Sequence, residues 1–230
     1  MPNVRRLAGR VRDIEWVVFE IAHGLPGPEV IEEMARLGRE HGHSYTVHLP
    51  LDLRLAADEA ARGESVATAC RVIAQARALD PWAYIVHLQD EGGEEAAWRE
   101  QALASLGALG TAAGGVERLA VENLPGYPAE RLEPLLDALP VSVCLDVGHL
   151  LAQERDPRSL LARWLGRMRV LHLHARQNER DHRSLAHMEQ GLLRDLLQAL
   201  QRAAYDGVVT IELFDAEALW ESWAVVGGVW

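Results

Sequence analysis

The sequence predicts an α/β fold, a TIM-type (β/α) barrel formed by residues 1–230 as a single domain. Three observations support this fold. Short β-rich runs alternate with helical stretches along the whole chain, the two faces of the predicted strands differ in polarity, and 230 residues suit one barrel domain. With 49% hydrophobic and 25% charged residues, the composition is that of a globular protein with a sizeable core.

The predicted elements alternate strictly. Strands are predicted at residues 14–20, 44–49, 83–88, 118–123, 141–147, 169–174 and 208–214. Helices are predicted at residues 28–41, 64–79, 94–109, 129–139, 158–165, 188–204 and 216–224. Strands that are regularly separated by helices indicate a parallel sheet.

The polarity of the strand faces favours a closed barrel over an open sheet. In the fifth strand, Ser142, Cys144 and Asp146 share one face, and the intervening valines and leucine share the other. A doubly wound sheet is covered by helices and therefore apolar on both faces. A barrel instead has an interior that becomes polar towards the carboxyl ends of its strands.

Seven strands are visible, whereas this barrel type has eight. Residues 3–7 read as a loop and a short helix leading into the strand at 14–20. We therefore expect the first strand to be missing, which predicts a gap between residues 14–20 and 208–214. A homodimer contact or the N-terminal residues would cover the open edges.

Charge and composition exclude several function classes. The net charge of −11 disfavours nucleic acid as a partner, because such a surface repels phosphates. All 23 basic residues are arginines, which excludes a lysine Schiff base and a P-loop lysine. Two cysteines, no signal peptide and no membrane-spanning apolar run predict a cytoplasmic protein with no membrane partner.

Metal-capable side chains recur where the predicted strands end. Six are on the polar strand faces, and two more follow shortly after a strand: His48, His87, Glu122, Asp146, His172 and Glu212, then His149 and His182. In a parallel barrel these positions converge on one mouth. A single histidine there is usually structural, but a buried group of acids and histidines is costly without a cation. The pattern therefore predicts a site for divalent metal.

These residues stand in motifs that resemble a known superfamily. The motifs are HLP at 48–50, VHL around His87, VENLP at 121–125, CLDVGHLL at 144–151, LHLHA at 171–175, RDHRSL at 180–185 and IELF at 211–214. In this order they are similar to the xylose-isomerase-like TIM-barrel superfamily. Its members include sugar isomerases and epimerases and the apurinic-site endonucleases of the AP endonuclease 2 group.

The resemblance implies two sets of metal ligands. The isomerases hold one ion with residues that match Glu122, Asp146, His172 and Glu212. The endonucleases hold three zinc ions and add histidines that match His48, His87, His149 and His182. An aspartate that completes their third site corresponds here to Arg180, with Asp181 adjacent. The resemblance therefore implies two or three ions, Zn²⁺ or Mn²⁺, with Glu122 bridging two of them and Glu122, Asp146 and Glu212 as catalytic residues.

A narrower resemblance suggests a substrate. NVRRLA, EHGHSYTVHLPLDLRL, VCLDVGHLL and RDHRSLA resemble the cobamide-remodelling phosphodiesterase (CbiR) family. That family cuts the nucleotide-loop phosphodiester of cobamides, leaving cobinamide phosphate and an α-riboside. Family members carry a strand before the NVRRLA segment that this chain lacks.

Five further residues are predicted to contact the substrate. Arg176, Arg180 and Arg183 follow the strand at 169–174 and suit bidentate bonds to a phosphate, although solvated loop arginines are equally compatible with the pattern. His174 and Asn123 flank metal-capable residues and suit contacts to the substrate or behind the ligands.

The sequence thus predicts a metal-dependent phosphodiesterase acting on a cobamide. A single-metal isomerase or epimerase of sugar phosphates is the first alternative, and a non-catalytic barrel that binds a sugar phosphate is the second. Each has a small-molecule partner. The eight metal-capable positions argue against the non-catalytic alternative, because a decayed site loses ligands first.

Overall fold

The computed structural model describes residues 1–19, 24–90, 92–178 and 180–228. The chain divides into two compact units. The first unit contains Met1–Glu122 and Glu130–Ser142, and the second contains Asn123–Ala129 and Val143–Trp230.

The first unit consists of parallel strands that alternate with helices. Its elements are α1 (Pro2–Leu7), β1 (Asp13–Val17), α2 (Pro28–His41), β2 (Ser44–His48), α3 (Glu59–Ala76), β3 (Tyr84–Val86), α4 (Glu95–Ala113), β4 (Leu119–Glu122) and α5 (Glu133–Ala138). The strands pair in chain order, β1 with β2, β2 with β3 and β3 with β4, and every pair is parallel. The βαβ pattern predicted from the sequence is therefore confirmed here.

The register of these strands aligns their carboxyl ends. Val17 is opposite His48, and His48 is opposite Ile85. The backbone N–H of Leu49 donates to the carbonyl of Ile85, so the β2–β3 pairing continues just past His48. The side chain at the end of β2 is thus close to those that end β3 and β4.

A satellite core closes the amino-terminal side of the first unit. Ile14 of β1, Ile31 and Met34 of α2 and Tyr45 of β2 are buried together. Met1, Val4 and Leu7, along one face of α1, pack against this cluster. Burial of this apolar face stabilises α1, because an isolated helix of six residues is not stable in water.

Asp13, at the start of β1, is a partly buried residue whose carboxyl group makes stability depend on pH. Burial raises its pKa to about 6, despite the hydrogen bond that Ser44 Oγ donates to its Oδ2 (2.5 Å). The pKa is raised in the folded state, so the free energy of unfolding should fall as pH rises from about 4 to about 6, by at most about 3 kcal/mol. We expect Asp13→Asn to flatten this fall in urea titrations at pH 4 and pH 7.

The exposed Asp137 of α5 provides the matched control. Asp137→Asn should keep the pH dependence of the wild-type protein. An Asp13→Asn protein whose stability still falls between pH 4 and pH 7 would show that another group causes the effect.

The second unit contains β5 (Ser142–Asp146, of which Ser142 belongs to the first unit), α6 (Val147–Ala152), α7 (Pro157–Trp164), β6 (Met168–Leu173), β7 (Ala175–Gln177), β8 (Arg180–Arg183), α8 (Gln190–Arg202), β9 (Val208–Ile211) and α9 (Ala216–Gly227). β5 pairs in parallel with β6, and β6 with β9. Five leucines of α8 are buried on one side of the helix: Leu192, Leu193, Leu196, Leu197 and Leu200. Their spacing is that of an amphipathic helix packed on a sheet.

Two elements of the second unit correct the sequence-based prediction. Val147 was predicted to end a strand but begins α6, whose first turn is capped by the side chain of Asp146. The segment after β6 was predicted to be a loop, but β7 and β8 form an antiparallel hairpin there. Both elements are short, and each depends on local capping or pairing that hydrophobic periodicity does not reveal.

The two strands next to the predicted gap are less buried than the others. Every residue of β9 is only partly buried, and so are four of the five residues of β1, whereas β3 and β4 are fully buried. Glu20, the predicted end of the first strand, lies outside the described residues. The gap itself concerns both units and stays a prediction. Among the described helices, none is both long and apolar enough to span a membrane.

Candidate metal centres

The first unit holds a group of three metal-capable residues, His48, His87 and Glu122. His48 ends β2, Glu122 ends β4, and His87 directly follows β3. The Nε2 atoms of His48 and His87 are 3.2 and 2.9 Å from the same oxygen, Glu122 Oε2. The two imidazole rings meet edge to face with centroids 4.7 Å apart. One ligand atom from each residue lies within 4.8 Å of the other two, close enough for all three to reach one metal ion.

Hydrogen bonding shows that this group suits a cation. His48 Nδ1 is 2.9 Å from the carbonyl oxygen of Leu49, which can only accept, so Nδ1 carries the proton in a neutral ring. Nε2 then presents a lone pair to the carboxylate of Glu122, itself an acceptor. A proton or a metal ion between the two atoms removes this repulsion. Backbone carbonyls orient metal-binding histidines in the same way.

The second unit holds its own group of three, Asp146, His172 and Glu212. Asp146 ends β5, His172 is in β6, and Glu212 directly follows β9. His172 Nδ1 is 3.2 Å from Glu212 Oε2 and 3.6 Å from Asp146 Oδ2. The backbone N–H of Glu212 donates to the carbonyl of Leu173, which continues the β6–β9 pairing and sets Glu212 beside His172.

Asn123 holds the backbone around Asp146. Its Nδ2 donates to the carbonyl of Asp146 (2.9 Å), and its Oδ1 accepts from the Asp146 N–H (2.8 Å). Its own carbonyl is 2.9 Å from Nδ1 of His149, which fixes the ring of that histidine. Both groups of the Asn123 amide thus contact the main chain, which suits the predicted role behind the ligands, in support of Asp146 and His149; contact with the substrate stays a prediction.

Three histidines pack beside Asp146. The ring of His174 is stacked on that of His182, with centroids 4.3 Å apart, and is 5.7 Å from that of His149. His182 Nδ1 is 3.7 Å from Glu212 Oε2. His149 and His182, predicted as ligands of a third ion, therefore lie next to the second group.

Asp181 is the residue that the sequence-based prediction missed. Its Oδ1 is 2.9 Å from Nδ1 of His174, and ligand atoms of His174, Asp181 and His182 lie within 4.8 Å of one another. Arg180, which stands where the endonucleases carry their aspartate, is exposed. The signal for Asp181 was its adjacency to His182, but the resemblance to the endonucleases pointed to position 180.

Charge and burial shift the pKa values of Asp146 and His174 in opposite directions. Burial alone would raise the pKa of Asp146, but its histidine neighbours, His174 first among them, hold the pKa well below its ordinary value. Burial lowers the pKa of His174, yet Asp146 and then Asp181 outweigh burial and raise that pKa to about 10. The network therefore favours ionised carboxylates, the form that binds metals.

The three predicted phosphate-binding arginines are on the β7–β8 hairpin. Arg176, Arg180 and Arg183 are all exposed. Arg176 Nη1 donates to the carbonyl of Ala152 (3.2 Å), which ties the hairpin to α6. Contact of these three side chains with a phosphate stays a prediction.

The donor sets indicate which ions fit. Each group combines imidazole nitrogens with carboxylate oxygens, a mixture that suits zinc and manganese. Glu122, Asp146 and His172 are almost completely buried, where charge without a cation is costly. The residues therefore fit the divalent metal that the sequence predicted.

Solved structures with the same fold include enzymes of different reaction classes. A D-tagatose 3-epimerase-like protein is 19% identical, with a TM-score of 0.80 over 96% of this chain and 88% of that one. Endonuclease IV from Thermus thermophilus is 23% identical, with a TM-score of 0.73 over 99% and 94%. D-psicose 3-epimerase from Clostridium cellulolyticum is 15% identical, with a TM-score of 0.76 over 99% and 91%. At these identities the likeness concerns the fold alone.

No curated protein is significantly similar to the chain. A family model described as xylose isomerase-like TIM barrel matches residues 11–224, nearly the whole sequence. This match and the alternation of seven parallel strands with helices confirm the predicted fold class. The chain belongs to the xylose isomerase-like TIM barrel family.

Proposed function

We propose that the protein is a metal-dependent phosphodiesterase that hydrolyses the nucleotide-loop phosphodiester of cobamides to cobinamide phosphate and an α-riboside. One observation carries the proposal. Each unit holds its own group of three ligand residues, His48, His87 and Glu122 in the first and Asp146, His172 and Glu212 in the second. Two such groups suit a reaction that uses two or more divalent ions, as hydrolysis of phosphodiesters commonly does.

When bound, divalent ions polarise a phosphoryl oxygen and activate water for attack on phosphorus. The residues of this chain hold and orient them. His48 and His87 direct Nε2 towards Glu122, and the carbonyl of Leu49 keeps the His48 ring in that orientation. The exposed arginines of the hairpin provide planar donors that match the oxygens of a phosphodiester.

An epimerase or isomerase with one ion is the alternative that most of the similar solved structures suggest. By the resemblance, such a reaction gives a ligand role to Glu122 but none to His48 and His87. The two histidines nevertheless both direct Nε2 at Glu122 Oε2, with their rings edge to face. Ligand atoms placed this close together suit a further ion, so this histidine pair favours the phosphodiesterase.

A cobamide agrees with the charge of the protein. The chain carries −11, which opposes the approach of duplex DNA. A cobamide has one internal phosphodiester on a bulky corrinoid and needs no extended basic groove. We propose it as the small-molecule partner, with no nucleic acid partner. We propose the reducing cytoplasm as the compartment, since two cysteines imply no disulfide framework.

Metal content tests the reaction class. Protein purified without chelator should contain at least two zinc or manganese ions per chain by elemental analysis. The pair His48→Gln and His87→Gln should remove one ion, and Asp146→Asn together with His172→Gln should remove another. Exposed His41 supplies the control, His41→Gln, which should keep all ions. A single ion in the wild-type protein would contradict the phosphodiesterase and favour the isomerase or epimerase.

Product analysis tests the substrate. A cobamide incubated with metal-loaded protein under reducing, anaerobic conditions should yield a cobinamide phosphate on chromatography. An abasic duplex should remain uncut under the same conditions. An unchanged corrinoid, together with interconversion of ketose epimers or of a ketose and an aldose, would contradict the proposal and establish the alternative.

A further inference from the structure

His174 is a completely buried histidine placed between two carboxylates. Its Nε2 is 3.1 Å from Asp146 Oδ2, and its Nδ1 is 2.9 Å from Asp181 Oδ1. Both ring nitrogens thus lie within hydrogen-bonding distance of a carboxylate. A histidine that ligates a metal needs one nitrogen for the ion, so this arrangement suits support of a ligand better than ligation.

Asp181, one of the two carboxylate partners of His174, is itself held in place. The backbone N–H of His182 donates to Asp181 Oδ1 (3.1 Å) and is 3.3 Å from Nδ1 of His174. His182 has a left-handed backbone (φ 49°), and the β7–β8 pairing shifts register between Ala175 and Gln177. These irregularities turn Asp181, at the neighbouring position to Arg180, towards His174.

The remaining side of the ring is closed by backbone. A Cβ atom built on Gly148 would overlap the imidazole of His174. The glycine that precedes His149 in α6 is therefore what gives the ring its space beside Asp146. The ring is also stacked on that of His182.

We infer that His174 is a positioning residue. It links Asp146 to Asp181, which is itself held by the backbone, and thereby sets the oxygen that Asp146 presents to metal in the second group. The inference rests on the proposed function, because it assigns the support of that metal site. The contacts that support Asp146 in this way all lie within the second unit. Removing either His174 or Asp181 should therefore weaken the second group more than the first.

His174→Phe is the informative variant, because it keeps a ring in the pocket and removes both nitrogens. We expect zinc affinity at the second group to fall roughly 10- to 100-fold, the range typical of residues that support a ligand. Affinity at the first group, measured in the same chelator competition, should fall less, because the contacts of His174 with Asp146, Asp181 and His182 all lie within the second unit. His174→Gln should recover part of the loss, since its side-chain amide can still bond Asp146. Asp181→Asn should reproduce a smaller loss in the same group.

A second readout needs no metal. Asp146 Oδ1 accepts from the backbone N–H of His149 (2.6 Å), so hydrogen exchange at this amide reports on the Asp146 side chain. In metal-free His174→Phe this amide should exchange up to roughly tenfold faster, the effect of one lost hydrogen bond. The Ala218 amide, bound to Asp215 Oδ1 (2.8 Å), should be unchanged.

The outcomes separate the inference from the proposed function. Wild-type protein that binds no metal would contradict the proposed function, and the His149 amide would then decide the inference alone. Wild-type affinity and wild-type exchange in His174→Phe would overturn the inference. An equal loss at both groups, or faster exchange at Ala218 as well, would show a general loss of structure and would also overturn it.

Discussion

Glu122→Gln should abolish turnover and remove metal from the first group. Glu122 is 1% exposed, and its Oε2 faces the Nε2 atoms of both His48 and His87. Glutamine has nearly the same shape but no charge, and its amide nitrogen cannot ligate a cation. We expect activity on a cobamide to fall more than about 100-fold, beyond the effect typical of residues that only support a ligand.

The exposed Glu117 gives a matched control with the same chemical change. Glu117→Gln should keep the metal content, the activity and the thermal unfolding temperature of the wild type. Elemental analysis of Glu122→Gln should show at least one ion fewer per chain. If this variant kept all its metal and lost only activity, Glu122 would act on the substrate and not as a ligand.

Gly148→Ala should be damaging although alanine normally favours a helix. Replacing glycine by alanine within a helix stabilises a protein by roughly 0.5–1 kcal/mol when space is available. At Gly148 the added methyl group would overlap the ring of His174, which two carboxylates and His182 hold in place. We expect the free energy of unfolding to fall by roughly 1–3 kcal/mol, as for overpacked sites, or zinc affinity at the second group to fall as in His174→Phe.

Gly107 of α4 is the control for this prediction, because nothing lies within 4 Å of the position of its Cβ. Gly107→Ala should stabilise the protein slightly in urea titrations and leave zinc binding unchanged. Equal stabilisation by both substitutions would mean that the His174 ring moves freely and that Gly148 is not required for its position.

The alternating polarity of the strands determined much of the candidate site. Because side chains of a strand alternate between two faces, His48, Glu122, Asp146 and His172 could be assigned to the polar face at the strand ends. In the structure, ligand atoms of His48, His87 and Glu122 lie within 4.8 Å of one another, and so do those of Asp146, His172 and Glu212. Local periodicity is sufficient to predict the face and the strand end at which each residue lies, because regular strands in register place each position predictably.

The periodicity of the strands could not predict what the residues around Asp146 do. Asn123 and His174 were predicted to contact the substrate or to lie behind the ligands. In the structure, one holds the main chain at Asp146 and the other faces its carboxylate. A residue that supports a ligand and one that contacts substrate have the same polarity and occupy the same strand ends. Only the three-dimensional contacts distinguish the two roles.

The sequence by itself determined the alternation of strands and helices and the residue types at the strand ends, because both follow from hydrophobic periodicity. Only the tertiary structure decided that Asp181 approaches His174 and that Gly148 leaves room for its ring. The physical reason is the β7–β8 hairpin, where a shifted register and the left-handed backbone of His182 redirect side chains away from the places that sequence spacing predicts. Such irregular backbone is set by packing across the chain and not by the residues of the segment alone.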